Sequence, residues 1–135
     1  MSGIRRLNAG SPWEGVVGYS RVVVRGDAAW VSGTTSTVDG VVTHRGDAAA
    51  QTRQALQIVR TALERAGFSL ADVVRTRIYV TDISRWREVG EAHGEVFGQI
   101  RPATTMVEVA RLIDDAALVE IEADALVRPD LGASA

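Results

Sequence analysis

The chain contains no cysteine, which removes disulfides, thiolate catalysis and cysteine-ligated metals from consideration. It has only two histidines, His44 and His93, too few for a histidine-rich metal site. A carboxylate-only magnesium or calcium site stays open, but no ligand loop of the known spacing is present. Positive charge is not in excess either. Fifteen basic residues against 17 acidic ones give a formal net charge of -2 and a pI near 5.7. A nucleic-acid or anionic-membrane partner held by bulk electrostatics is therefore not expected. No stretch approaches the roughly 20 apolar residues of a membrane span. The basic pair Arg5-Arg6 is not followed by the apolar run of a signal peptide. The expectation is a soluble, cytoplasmic protein.

What is present suffices for one domain, since 135 residues with 46% hydrophobic content can bury a core. We read residues 1–128 as that domain and 129–135, after Pro129, as a frayed tail. The clearest pattern lies near the C-terminal end. Ala103 to Leu112 alternates small polar with apolar residues after Pro102, and Leu118 to Leu126 alternates more strictly. Period-two alternation of this length predicts two half-buried strands joined by a short connection through Ile113-Asp114-Asp115. Glu120, Glu122 and Asp124 must then share one sheet face and need water or cations there.

Upstream, residues 4–8 read as a short strand that ends in the loop Asn8 to Pro12. Trp13 and Tyr19 flank a glycine-rich loop. Arg21 to Arg25 and Ala28 to Ser32 read as a hairpin about Gly26-Asp27, and the segment through Asp39-Gly40 and His44 as loop. Asp47 is placed to cap a helix over 48–66, with Ala55, Leu56, Val59, Ala62 and Leu63 on its inner face and Gly67 as its stop. Gln51, Arg53, Gln54, Gln57, Arg60 and Glu64 are assigned to its solvent face. Val73 to Val80 is a further strand, on which Arg75, Arg77 and Tyr79 share a face. Its arginines are the natural partners for the three carboxylates. A second helix, about 83–97 and capped by Asp82 or Ser84, carries Trp86, Val89, His93, Val96 and Phe97 as its inner stripe. A histidine on such a stripe is more often a satisfied core-edge residue than a catalyst. Two helices cover one face of such a sheet, so the other face calls for self-association.

This order of elements, with Gly18-Tyr19-Ser20, Ser32-Gly33, Gly46-Asp47, Arg101-Pro102-Ala103, Val107 to Leu112 and Glu120-Ile121-Glu122-Ala123 at their spacing, resembles the Rid (YjgF-type) family of reactive-intermediate imine deaminases. The resemblance covers Asn8 to Leu126. It implies a chorismate-mutase-like α+β fold, ordered β-β-β-α-β-α-β-β, and a homotrimer with small-molecule clefts between subunits. It also implies hydrolysis of 2-imino or 2-enamino acids to keto acids and ammonia, with no cofactor and no metal. Residue by residue, Tyr19 and Glu120 match the catalytic pocket. Gly33, Thr105, Met106 and His93 fall among positions that line the cleft.

One position departs from the pattern. The family's arginine that clamps the substrate carboxylate is Thr104 here, which marks the chain as resembling a divergent subgroup. A guanidinium offers two parallel charge-assisted hydrogen bonds that a hydroxyl cannot imitate. At roughly 1.5–3 kcal/mol for each such bond, an imino acid would bind tenfold to several hundredfold more weakly. Two readings follow. One is a hydrolase of the same chemistry with an atypical substrate, in which Glu120 moves protons and its acidic neighbours Glu108, Glu122 and Asp124 raise its pKa. The other is a non-catalytic trimeric binding or regulatory protein. Endoribonuclease activity, attached to some relatives by name, is disfavoured by the acidic pI. Residues alone also allow Glu120 to be a structural ion-pair partner of Arg75 or Arg77.

Overall fold

A computed structural model of the protein describes residues 3–127; the expected tail from Pro129 lies outside them. The order is β1 (Ile4–Leu7), α1 (Glu14–Val17), β2 (Val22–Arg25), β3 (Ala28–Thr34), β4 (Thr37–Val38), β5 (Val41–Val42), α2 (Ala48–Arg65), β6 (Val73–Val80), α3 (Trp86–Phe97), β7 (Ala103–Glu108) and β8 (Val119–Leu126). Six strands form one sheet in the order β1-β2-β3-β8-β6-β7, and β4 and β5 form a separate ribbon. The fold is α+β, as expected. The ribbon was read as loop because its strands are two residues each. Its turn at Asp39 and Gly40 has φ of 51° and 79°, the doubly positive geometry that favours Asp-Gly.

The alternation in β8 is resolved as a buried and a half-exposed face. Val119, Ile121, Ala123 and Ala125 are at most 3% exposed and pack with Leu56, Val59 and Leu63 of α2 and Val89 and Phe97 of α3. The two strands of the C-terminal pattern are both present, but they do not pair with each other. β6 lies between them, parallel to β7 and antiparallel to β8. Alternation fixes which face a residue takes and says nothing about the neighbouring strand.

Asp47 caps α2 by accepting from the Ala50 amide at 3.0 Å. Gln51 does not belong to the solvent face. It is fully buried, donates from Nε2 to the carbonyls of His44 and Ala116 at 3.2 and 2.9 Å, and accepts the Leu118 amide at 2.8 Å. Trp86 departs the other way. It is 49% exposed at the first position of α3, just after a 3-10 turn over Ile83–Arg85, and Arg87 stacks on its ring at 4.7 Å.

On the other face of the sheet, Arg77 binds both Glu122 at 3.2 Å and Asp124 at 3.3 Å. Trp30 and Val107, 46% and 43% exposed, give that face apolar area beside the charges.

Candidate active site

The β3–β8 pairing places the chemistry. The register shifts between Val31 and Thr34, an irregularity that bends the strand end and re-aims its residues. Gly33 sits in the shifted segment, and the Glu120 side chain of β8 lies directly over it. A Cβ at position 33 would stand 2.7 Å from Glu120 Oε2 and 2.9 Å from its carboxyl carbon, so only glycine leaves the carboxyl its present place. Around it opens a cleft of about 440 Å³, whose lining includes Tyr19, Arg21, Gly33, Thr35, Ile113 and Glu120. The structure therefore brings together three of the residues read from the sequence: Tyr19, Gly33 and Glu120.

Glu120 makes no hydrogen bond and no ion pair among the described residues. The alternative, a salt bridge to Arg75 or Arg77, is absent, and Arg77 is committed to Glu122 and Asp124. Burial pushes the Glu120 carboxyl above its ordinary value; Arg21 opposes that shift and Glu122 adds to it. The acidic neighbours expected to raise it are thus secondary to burial. Glu108 in particular is turned elsewhere and accepts the Ile83 amide at 3.0 Å. Tyr19 is held by Ser11, whose Oγ is 3.2 Å from the phenol oxygen.

Arg21 was not singled out in the sequence. It is 6% exposed. Its Nη1 donates to the carbonyls of Ser32 and Gly33 and to Thr34 Oγ1 at 3.1, 2.8 and 2.8 Å. Its Nη2 reaches Tyr19 at 3.5 Å, and Nε lies 3.9 Å from the buried Glu14. A signal for it did exist: Arg21 is two residues from Tyr19 and directly follows the Gly18-Tyr19-Ser20 motif.

The remaining predicted residues lie elsewhere. Thr104 on β7 is opposite Thr76 and bonds to it, Oγ1 to Oγ1, at 2.8 Å; its hydroxyl also reaches the Pro102 carbonyl at 3.2 Å. Thr76 in turn bonds to His93 Nε2 at 2.9 Å, and His93 packs on Phe97 with ring centroids 4.7 Å apart. Burial lowers the His93 pKa. His93 and Thr104 border a shallow groove beside Arg101 and Pro102. This groove is on the helix side of the sheet, whereas Glu120, opposite Tyr79, points to the other side. Thr105 is exposed and Met106 packs against the core. Within one chain, the β7 residues and Glu120 do not share a pocket. No group of three or more His, Asp or Glu residues among the described residues is placed to hold a metal ion, and no helix there is long and apolar enough to cross a membrane.

The role of Gly33 is directly testable. Its backbone is open to any residue, and the atoms a methyl group would meet belong to the movable end of Glu120. Gly33→Ala should therefore leave the melting temperature within about 2–4 °C, which corresponds to under roughly 1 kcal/mol. It should move the carboxyl and lower ligand turnover or binding at least tenfold. Unchanged function with an unchanged fold would mean that the position of the carboxyl is not critical.

Comparison with known proteins agrees with this architecture. Residues 11–127 match the family described as Endoribonuclease L-PSP. A crystal structure of Rv2704 from Mycobacterium tuberculosis, described as a member of the YjgF/YER057c/UK114 family, has a TM-score of 0.84 and 57% identity, covering 92% of this chain and 99% of that one. An uncharacterized protein of Streptomyces coelicolor is 36% identical over 90% of this chain and 91% of its own. The 3-aminoacrylate deaminase RutC of Acinetobacter baylyi is 40% identical over 59% of this chain and 63% of its own. A match over nearly the whole described chain, joined to the same sheet and helix arrangement, places this protein in the Endoribonuclease L-PSP family, the YjgF/RidA family.

Proposed function

We propose that the protein is a cofactor-independent hydrolase of small imines or enamines, acting in the cleft of Tyr19, Gly33 and Glu120. The observation that carries this reading is Glu120: a shielded carboxyl with no protein partner, pushed toward the range useful for proton transfer. In its protonated form it gives its proton to the substrate nitrogen. As the carboxylate it takes one from the attacking water. The C–O bond forms, the C–N bond breaks, and ammonia leaves with a carbonyl product. Tyr19 donates to charge that develops on the substrate. The deaminase named among the relatives supports the reaction class.

Thr104 and Met106 take the sheet face opposite to Glu120, and no β7 residue lines the Glu120 cleft within one chain, so a cleft that uses both requires a neighbouring copy. The apolar area around Trp30 and Val107 supports a symmetric assembly, a homotrimer by family resemblance. A non-catalytic binding role is the second reading. It is favoured by Thr104, whose hydroxyl is bound within the fold where the resembling deaminases carry a clamp. The net charge of -2 argues against a nuclease role.

The test is the rate of ammonia and keto-acid formation from imines generated in situ by an amino-acid oxidase, compared with the uncatalysed rate, for the wild type and Thr104→Arg. Acceleration by the wild type is the expected result. Silence from both proteins would overturn the hydrolase reading in favour of binding.

A further inference from the structure

The buried arginine in the cleft has more donors than the fold uses. A guanidinium carries five N–H groups in a fixed plane. Arg21 places Nη1 among three acceptors, all at the end of β3. That set explains how Arg21 ties β2 to β3. Nη2 is left with one long contact, 3.5 Å to the Tyr19 oxygen. The side chain is 6% exposed and lines the same cleft as Glu120. Its nearest anionic partner, Glu14, comes no closer than 3.9 Å, measured to Nε. Glu14 is itself occupied, accepting the Ala9 amide through both oxygens at 3.3 and 3.2 Å.

A buried cation with an underused donor edge on an open cavity is a site for an anion. We propose that Arg21 is the anion anchor of this cleft and selects small carboxylate ligands, held by Nη2 together with the Tyr19 hydroxyl. Glu120, on the same cavity, must then be protonated for the carboxylate to sit comfortably beside it, so binding takes up a proton as the pH rises past the ordinary carboxyl range. The anchor immediately precedes β2, on the other side of β8 in the sheet order from Thr104 on β7. Loss of the family clamp therefore does not empty the cleft of cationic character. It moves that character to the β2–β3 corner. The inference deepens the functional reading of the same cleft, but equilibrium binding tests it, so that turnover and anchoring can fail separately.

The experiment compares binding of 2-oxobutanoate and of its neutral analogue 2-oxobutanamide to the protein in its native assembly, by calorimetry at two pH values. The wild type is expected to bind the carboxylate at least tenfold more tightly than the amide, with affinity falling as pH rises. Arg21→Gln is expected to erase that preference. Because Arg21 also ties two strands together, a second variant avoids reliance on its folding. Glu120→Gln leaves every Arg21 bond in place and removes the competing carboxylate, so it should tighten 2-oxobutanoate severalfold and flatten the pH dependence of its binding. Equal affinity of the wild type for both ligands, no carboxylate binding at all, a preference retained in folded Arg21→Gln, or no response to Glu120→Gln would each overturn the proposal.

Discussion

Glu120→Gln should lower kcat/KM for an imine substrate by about 10²- to 10⁴-fold, the usual worth of a positioned general acid–base, with the fold retained. Glutamine matches the shape and keeps a carbonyl oxygen over Gly33, so nothing needs to repack; what is lost is the transferable proton. The stability of the variant should carry the opposite sign. Burial holds the Glu120 pKa above its ordinary value of 4.5, so between 4.5 and that raised value the folded protein binds more protons than the unfolded chain. Stability is then fully present at low pH and declines as pH rises through the window. At neutral pH the variant, which has nothing to ionise there, should be as stable as the wild type or more so. Denaturant melts at pH 4 and pH 7 alongside steady-state rates check both halves. A variant with turnover within threefold of the wild type would remove Glu120 from the chemistry.

The largest expected loss of stability is at Gln51, which is fully buried. Gln51→Leu conserves bulk and hydrophobic fit but strips three hydrogen bonds and leaves the Ala116 carbonyl and the Leu118 amide without the partners they have here, while the His44 carbonyl keeps the Asp47 amide. At roughly 1–3 kcal/mol for each buried group left unsatisfied, the cost should be about 3–5 kcal/mol. That is a large share of the roughly 5–15 kcal/mol that holds a domain together. The damage would extend beyond stability, because the segment Gln51 pins from Ala116 to Leu118 leads directly into β8 and so into Glu120. Urea unfolding measures the difference, and a loss below 1 kcal/mol would mean that water replaces the glutamine at no penalty.

Gln51 also shows where the sequence stops being legible. Helix α2 was readable from its spacing, its Asp47 cap and its Gly67 stop, since these signals are local. That one glutamine of its polar face turns inward depends on the loop from residue 113 to 118 coming to meet it, which is visible only in three dimensions. The same limit applies to β7 and β8, whose faces were readable but whose neighbours were not. It applies to Arg21 as well, one more arginine on a valine-rich strand until the β3 carbonyls gather around it. Trp86 fails for a different reason: it is the first residue of α3, in phase with Val89 and His93, and periodicity assigns a face without saying whether the end of the helix has anything packed over it. In the site, Tyr19, Gly33 and Glu120 were found through the family resemblance, and the fold then supplied a physical reason for each to meet the others.

The position of β8 has a consequence for how the molecule comes into being. It is the last strand in chain order among the described residues, yet it occupies the middle of the sheet and pairs with both β3 and β6. Before it inserts, β1-β2-β3 and β6-β7 are separate half-sheets, each with an open edge facing the gap. Joining β8 to β3 closes a loop of nearly a hundred residues, the kind of distant contact that slows folding and lengthens the life of sticky intermediates. The same strand delivers Glu120. The cleft carboxyl therefore takes its place in the step that seals the sheet, and a newly made chain completes its candidate site and closes its two inner strand edges at one moment.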